Sequence, residues 1–211
     1  GECLLKDMDG ALGAVPLWIA EANAAGQRVV ILATGDPLCH GIASWLSGKL
    51  GPAAIEVLTA VATLQLAFAR FKTPWQDVRI ATCHTADAGE WFAGATPEHG
   101  LYALMRTIAR NPRVALFTGP QNTPGRLARA LISAGYGEDS KLSIACRLCL
   151  PDEEIHLALS PAEVAQRVFP EPNVVLVERS AAASVPCFGL DDLEYIQRTP
   201  EKGLITKQEA R

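Results

Sequence analysis

An apolar run that ends in a tight turn constrains this fold more than any other stretch of the chain. Residues 28–33 read RVVILA, and the turn sequence TGDP follows at residues 34–37. A continuous apolar run bounded by turn residues is typical of a buried strand in a largely parallel sheet. In such sheets ligands bind outside the carboxyl ends of the strands, which is where this turn would lie. The local residues alone favour a strand-to-helix turn in which Asp36 caps the following helix.

The rest of the chain alternates between helix and strand patterns. In the first half the patterns predict strands at 28–33, 55–58 and 78–83 between helices at 16–25, 39–50 and 62–71. In the second half they predict strands at 113–118, 141–146, 154–159 and 173–178, with helices at 101–110, at 124–134 and from 161 onward. Residues 154–159 alternate in a way that suits a half-exposed antiparallel strand, so the second sheet is predicted to be mixed.

These patterns predict an α/β fold with two lobes, in which a parallel, doubly wound first half precedes a mixed-sheet second half. The first half spans residues 1–83 and is followed by a connection at 84–100, which lacks periodicity. The second half spans 101–198. Residues 199–211 hold a Thr-x-x-Glu capping box at Thr206 and Glu209, so we expect a linker and the start of a further domain there.

Composition excludes several functional classes. The 211 residues are 49% hydrophobic and carry a net charge of −4, so they lack the excess of positive charge that is typical of proteins that bind nucleic acid or an anionic membrane. No apolar run reaches the ~18 residues of a membrane-spanning helix, and the first residues lack the layout of a signal peptide. Six scattered cysteines predict reduced thiols rather than a disulfide scaffold. We therefore expect a soluble, cytoplasmic protein.

The local motifs assign no catalytic residue. The chain contains no G-x-G-x-x-G, P-loop or G-x-S-x-G sequence, and its histidines show no i, i+4 pair. Cys146 and Cys149 form one C-x-x-C at the end of a predicted strand, which favours packing over metal or redox chemistry. Cys39, Cys83-His84 and Cys146 all lie near the carboxyl ends of predicted strands, so a metal site across those strands is a weaker alternative. The prediction is that no metal is bound.

Several segments in the expected order resemble one enzyme family. Residues 29–41, VVILATGDPLCHG, resemble the VVVLASGDPxxxG segment of the tetrapyrrole (corrin/porphyrin) methylases. The segments QNTP (121–124), LISAGYG (131–137) and PDEEI (151–155) resemble the carbon-5 methylase subfamily of cobalamin synthesis. Residues 188–194 and 203–211 resemble the junction to a carbon-15 methylase domain in fused enzymes of the precorrin-6Y methyltransferase type.

The resemblance implies an S-adenosyl-L-methionine-dependent methyltransferase that methylates carbon 5 of a corrin precursor, precorrin-6Y or 6B, in cobalamin biosynthesis. It implies a cofactor crevice between the two halves, a C-terminal carbon-15 methylase domain as partner, and a homodimer or higher oligomer. Arg126 and Arg147 are candidates for binding the carboxylates of the corrin substrate. The cofactor contacts that carry over by position are Gly35, Asp36, Cys39, Ala62, Thr63, Phe117, Thr118, Ala145 and Leu176.

The chain also departs from the family pattern. Residues 84–86 read HTA where the family has HGR, residues 146–149 read CRLC in place of ERLG, and TAVAT at 59–63 replaces PGVSS. The family's first strand and glycine-rich loop would precede Gly1. These departures leave open the alternative of a catalytically diverged half that only binds a tetrapyrrole or the cofactor. A nucleotide-dependent dehydrogenase, the third hypothesis, lacks its glycine fingerprint.

Overall fold

The computed structural model describes residues 3–180, which confirm the predicted α/β class. The helices are α1 (Val15–Ala24), α2 (Ile42–Leu50), α3 (Thr63–Phe71), α4 (Tyr102–Arg110), α5 (Pro124–Ser133) and α6 (Pro161–Ala165). The strands are β1 (Arg79–Thr82), β2 (Arg113–Phe117), β3 (Ser140–Cys146), β4 (Glu154–Leu159) and β5 (Asn173–Arg179). The predicted junction and the capping box at 206–209 lie outside the described residues.

The chain divides into two compact units, Gly1–Thr63 and Leu64–Arg211. Up to residue 180, the second unit contains one five-stranded sheet in the order β1-β2-β5-β3-β4. β1 and β2 are parallel, whereas β2–β5, β5–β3 and β3–β4 are antiparallel. The sheet is therefore mixed, but its parallel pair joins β1, from the predicted first half, to β2, and the described strands of the second half pair only antiparallel. Residues 154–159 form the antiparallel edge strand, as predicted.

One face of this sheet forms the main core. Because side chains alternate across a strand, every second residue of β2, β3 and β5 contributes to it. The strand residues of this core are Val114, Leu116, Leu142, Ile144, Cys146, Val175 and Val177. Helices α4, α5 and α6 cover them with fully buried side chains such as Met105, Leu131 and Val164. The opposite face is also buried, since Ala115, Ala145 and Leu176 there have no exposed surface.

The first unit consists of helices and irregular segments. α1 and α2 contact each other, and Val15, Ala43 and Leu46 are buried. No strand lies at 28–33 or 55–58, so both of these predictions are wrong. Val30 and Leu32 are 72% and 83% exposed, and no described residue pairs with the 28–33 backbone. An apolar run becomes a strand only where a neighbouring strand supplies the ladder hydrogen bonds, and the described residues provide none here.

The helices of the described residues are short. The longest, α1 and α5, have ten residues each, and none is long and apolar enough to cross a bilayer.

Candidate functional site

In the first unit the Gly-Asp-Pro turn forms a compact loop ahead of α2. The Asp36 Oδ1 atom accepts a hydrogen bond from the Leu38 amide at 2.8 Å, and the Asp36 carbonyl accepts one from the Cys39 amide at 3.1 Å. α2 begins only at Ile42, and its N-cap residue Gly41 makes no side-chain cap. The predicted capping role of Asp36 is therefore wrong, because the carboxylate is used in a local turn before the helix starts.

A second set of bonds fixes this loop on the first turn of α2. The Pro37 carbonyl accepts hydrogen bonds from the amides of Ala43 at 2.9 Å and Ser44 at 3.3 Å. The Ser44 hydroxyl donates to the Leu38 carbonyl at 2.6 Å. A Cβ at Gly41 would lie only 2.7 Å from the Pro37 oxygen, so this close approach requires glycine.

Gly35 and Thr63, both predicted cofactor contacts, lie against each other. Gly35 has φ +66°, and a Cβ built on it would overlap the Thr63 Oγ1 atom. Thr63 opens α3 directly after Ala62. The exposed Asp36 carboxylate and half-buried Cys39 belong to the same loop, where burial and then the charge of Asp36 raise the pKa of the Cys39 thiol. The loop thus presents an anionic acceptor and a neutral thiol.

In the second unit Phe117, Thr118 and Ala145 lie at or near the carboxyl ends of β2 and β3, whereas Leu176 lies in the middle of β5, paired with Ala115 and Ser143. Phe117 ends β2, and Thr118 follows with a hydroxyl that donates to Asn173 Oδ1 at 2.5 Å. Asn173 is the first residue of antiparallel β5, and it pairs with Cys146 at the end of β3. The carboxyl ends of β2 and β3 and the start of β5 therefore lie at one edge of the sheet, as expected for a ligand site of an α/β fold.

Phe117, Ala145 and Leu176 lie on the sheet face opposite the α4–α6 core. Phe117 and Ala145 flank Val174 from the two sides in the ladder. Ala145 and Leu176 are fully buried, and their backbones lie between two neighbouring strands. These two residues shape this face, whereas Phe117 and Thr118 lie at its edge.

The buried side chain of Asn122 organises the connection that follows β1, and sequence reasoning missed it. Its amide nitrogen donates to the carbonyls of Cys83 at 2.9 Å, Thr85 at 3.2 Å and Ala86 at 3.0 Å. Its oxygen accepts from the Ala88 amide at 3.1 Å. One asparagine thereby contacts four backbone groups of a segment 34 to 39 residues away, with its two amide hydrogens shared among the three carbonyls. The only sequence signal was its place in the QNTP motif, which carries no information about these partners.

The two arginines proposed for the substrate have different surroundings. The Arg126 guanidinium pairs with Asp87 and Glu90, and its side chain is only 15% exposed. These contacts hold the connection on α5, so the Arg126 charge is already compensated. Arg147 follows β3 at the same edge of the sheet as Thr118, is 34% exposed, and pairs with Asp152 at 2.6 Å. Arg147 is therefore the better candidate of the two.

The five thiols of the described residues take part in no recognisable metal site. Within residues 3–180 no group of three or more His, Cys, Asp or Glu side chains is placed to hold a metal ion. The cysteines of this part of the chain are free, including Cys146 and Cys149 of the C-x-x-C. Burial raises the pKa of Cys83 and of Cys146 to about 12, so both thiols stay protonated and serve as packing residues.

Comparison with known proteins identifies the family. The sequence profile of the tetrapyrrole (corrin/porphyrin) methylases matches residues 6–161. The cobalt-precorrin-7 C(5)-methyltransferase of Salmonella typhimurium is 27% identical over 145 residues, which are 69% of this chain and 63% of that protein. The precorrin-6Y C(5,15)-methyltransferase of Sinorhizobium sp. is 27% identical over 190 residues, 88% of this chain and 41% of that protein. The chain thus spans less than two thirds of either relative.

A solved structure supports the fold. The uroporphyrin-III C-methyltransferase of Thermus thermophilus, solved with S-adenosyl homocysteine, has a TM-score of 0.51 at 20% identity and covers 77% of this chain and 68% of its own. Tetrapyrrole methylases use S-adenosyl-L-methionine as methyl donor. Since the family profile covers about three quarters of the sequence, from residue 6 to 161, the chain belongs to the tetrapyrrole (corrin/porphyrin) methylases.

Proposed function

We propose that this protein is an S-adenosyl-L-methionine-dependent methyltransferase that acts on carbon 5 of a corrin precursor in cobalamin biosynthesis. The observation that carries the proposal is the family match over residues 6–161, because it includes both sets of predicted cofactor contacts up to Ala145. Carbon 5 is proposed because it appears in the names of both relatives, the C(5)-methyltransferase of Salmonella and the C(5,15)-methyltransferase of Sinorhizobium.

The residues of the Gly-Asp-Pro loop fit such a cofactor. Because Gly35 has no side chain, the turn lies directly against Thr63, where any Cβ would collide, so these two proposed cofactor contacts are adjacent. One Asp36 oxygen is used by the Leu38 amide, which leaves the exposed carboxylate with capacity to accept from the amino or hydroxyl groups of a ligand. When bound, the cofactor supplies an electrophilic methyl group. The protein then has to hold the two reactants in line and exclude water.

In the second unit, the edge formed by Phe117 and Thr118 carries the other proposed cofactor contacts. Arg147 at the same edge would bind a carboxylate of the corrin, since a guanidinium matches the geometry of a carboxylate. We further propose that a carbon-15 methylase domain and a second copy of the chain are its partners. The name of the Sinorhizobium relative supports the first partner, and light scattering of the purified protein tests the second.

Cofactor binding is tested by calorimetric titration with S-adenosyl homocysteine. We expect Asp36→Ala to weaken binding by about tenfold, or ~1.4 kcal/mol, while Asp36→Asn keeps the turn and loses less. Glu56→Ala, which removes another exposed carboxylate from the same unit, is the matched control and should bind like the parent protein. Equal affinities for Asp36→Ala and the parent would remove Asp36 from the site.

Turnover is tested separately with cobalt-precorrin-7 and precorrin-6Y as corrins, with product detected as the gain of one CH2 group in mass. Binding of S-adenosyl homocysteine together with methylated product would support the proposal. Cofactor binding without turnover of either corrin would instead establish the diverged binding half. Failure to bind the cofactor would reject the proposed methyltransferase.

A further inference from the structure

His84 occupies a fixed position at the carboxyl edge of the sheet, directly after β1. Its Nδ1 atom lies 3.0 Å from the carbonyl oxygen of Thr118, the residue that follows β2. Since a carbonyl oxygen only accepts hydrogen bonds, Nδ1 must carry the hydrogen. In the neutral imidazole this tautomer leaves a lone pair on Nε2, at the opposite side of the ring.

The backbone on both sides of the ring holds it in place. The His84 amide donates to the Thr82 hydroxyl at 3.1 Å, and the preceding amide, that of Cys83, donates to the Phe117 carbonyl at 2.9 Å. The ring also packs closely against Gly119, since a Cβ on Gly119 would lie only 3.0 Å from the His84 Nδ1 atom. The imidazole is therefore oriented before any ligand binds.

The ring nitrogens of His99 and His156 have other hydrogen-bond partners. His99 places Nε2 3.1 Å from the Glu90 carbonyl and accepts the Leu101 amide on Nδ1, so both ring nitrogens are occupied. His156 places Nε2 3.1 Å from a Glu154 carboxylate oxygen. In contrast, the Nε2 atom of His84 has no hydrogen-bond partner among residues 3–180, and the residue is exposed. His84 thus presents a free lone pair at the edge formed by Phe117 and Thr118.

We propose that His84 is the proton acceptor of the methyl transfer, an inference that rests on the proposed function. The new bond joins the methyl carbon to the attacked ring carbon, and the S–CH3 bond breaks with both electrons going to sulfur. The methylated carbon then loses its hydrogen as a proton, and the C–H electron pair returns to the ring system. The proton is accepted by the lone pair on Nε2 of His84, which becomes an imidazolium.

The tautomer is tested on the protein alone, with 15N-labelled histidine and long-range 1H–15N correlation spectra. We expect Nδ1 of His84 to be protonated and Nε2 to be unprotonated in the neutral ring. The opposite tautomer would overturn the proposal without affecting the proposed function, because a protonated Nε2 cannot accept a proton. The resonance is assigned by its loss in His84→Asn.

The role in turnover is tested with matched substitutions. In His84→Asn the side-chain amide can still donate to the Thr118 carbonyl, but no base replaces Nε2. In His84→Ala both groups are lost. We expect both variants to lose about 100-fold or more in kcat with cobalt-precorrin-7 or precorrin-6Y, while KM changes less than about threefold. His156→Asn, which removes a histidine from the β4 edge, is the control and should keep full activity.

Each other result has a clear meaning. If His84→Asn keeps kcat within about threefold and only His84→Ala loses it, the imidazole is structural and the proposal is overturned. A loss that appears in KM alone also overturns it, since a proton acceptor acts on the chemical step. A parent protein that binds no S-adenosyl homocysteine and methylates neither corrin rejects the proposed function itself, and the role of His84 with it.

Discussion

Gly35 shows how one residue links the fold to the candidate site. Its φ of +66° favours glycine, and the space that a Cβ would need is taken by Thr63 Oγ1. We expect Gly35→Ala to lower the free energy of unfolding by about 1–3 kcal/mol, from the strained backbone together with the collision. Urea denaturation measures this change.

Gly48→Ala is the matched control, since Gly48 lies inside α2 with nothing within 4 Å of the added Cβ. This substitution should raise the free energy of unfolding by roughly 0.5–1 kcal/mol. Replacing Thr63 by alanine in the Gly35→Ala background should recover part of the loss by removing the hydroxyl. A Gly35→Ala protein as stable as the parent would show that the turn relaxes at no cost.

Asn122 is the residue on which the connection between β1 and α4 depends. Asn122→Asp has nearly the same shape, but it replaces the amide donor with a carboxylate that faces the carbonyls of Cys83, Thr85 and Ala86. We expect a loss of about 2–4 kcal/mol in the free energy of unfolding, because three acceptors lose their donor. Gln121→Ala, on the exposed neighbouring residue, should change it by less than ~0.5 kcal/mol. Similar values for the two variants would contradict the role given to Asn122.

At the scale of elements, the start of α6 is determined by a local capping motif. Ser160 caps this helix by accepting the Glu163 amide, and Glu163 in turn accepts the Ser160 amide at 2.8 Å. Ser160→Ala should cost about 1 kcal/mol in thermal or urea unfolding, whereas Ser160→Asp retains an acceptor and should cost less. If both variants lose the same stability, the capping box is not the cause.

At the scale of the molecule, paired carboxylates predict acid sensitivity. The Gly89 amide and then Arg126 hold the pKa of Asp87 below its usual value, Arg129 lowers the pKa of Glu90, and Arg70 lowers that of Glu153. A carboxylate whose pKa is lower in the folded state than in the unfolded state stabilises the folded protein at pH values above the unfolded-state pKa of ~4. This stabilisation is lost as the pH falls through the folded-state pKa. We therefore expect the free energy of unfolding to fall between about pH 5 and pH 2.

The pH dependence is measured by urea denaturation at a series of pH values. Glu90→Gln removes one of the titrating groups, so its stability should fall less steeply below pH ~4 than that of the parent protein. An unchanged slope in Glu90→Gln would show that its ion pair with Arg129 does not contribute to folding stability.

The sequence predicted the second half of the fold better than the first. The strands predicted at 113–118, 141–146 and 173–178 agree with β2, β3 and β5 within one residue at each end. The runs at 28–33 and 55–58 were equally apolar, but the described residues supply them with no pairing strand. Apolar content therefore predicted which segments prefer burial, whereas pairing depends on chain that is distant in sequence.

The candidate site likewise contains some residues that the sequence located and some contacts that it could not predict. The resemblance located the Gly35–Cys39 loop and the Phe117–Thr118 edge, and their role as cofactor contacts stays a prediction. The bonds of Asn122 and the tautomer of His84 could not be predicted, because each depends on backbone carbonyls that lie more than 30 residues away in the chain.

What the sequence determined by itself was local. Pro16 in the first turn of α1, Gly26 with φ +68° after its end, and the Ser160 cap of α6 mark boundaries that neighbouring residues specify through allowed backbone angles and capping bonds. The tertiary structure decided the strand order β1-β2-β5-β3-β4, the partners of Asn122 and the contact of His84 Nδ1 with the Thr118 carbonyl. These features require hydrogen bonds between groups that only the folded chain brings together, so no local pattern encodes them.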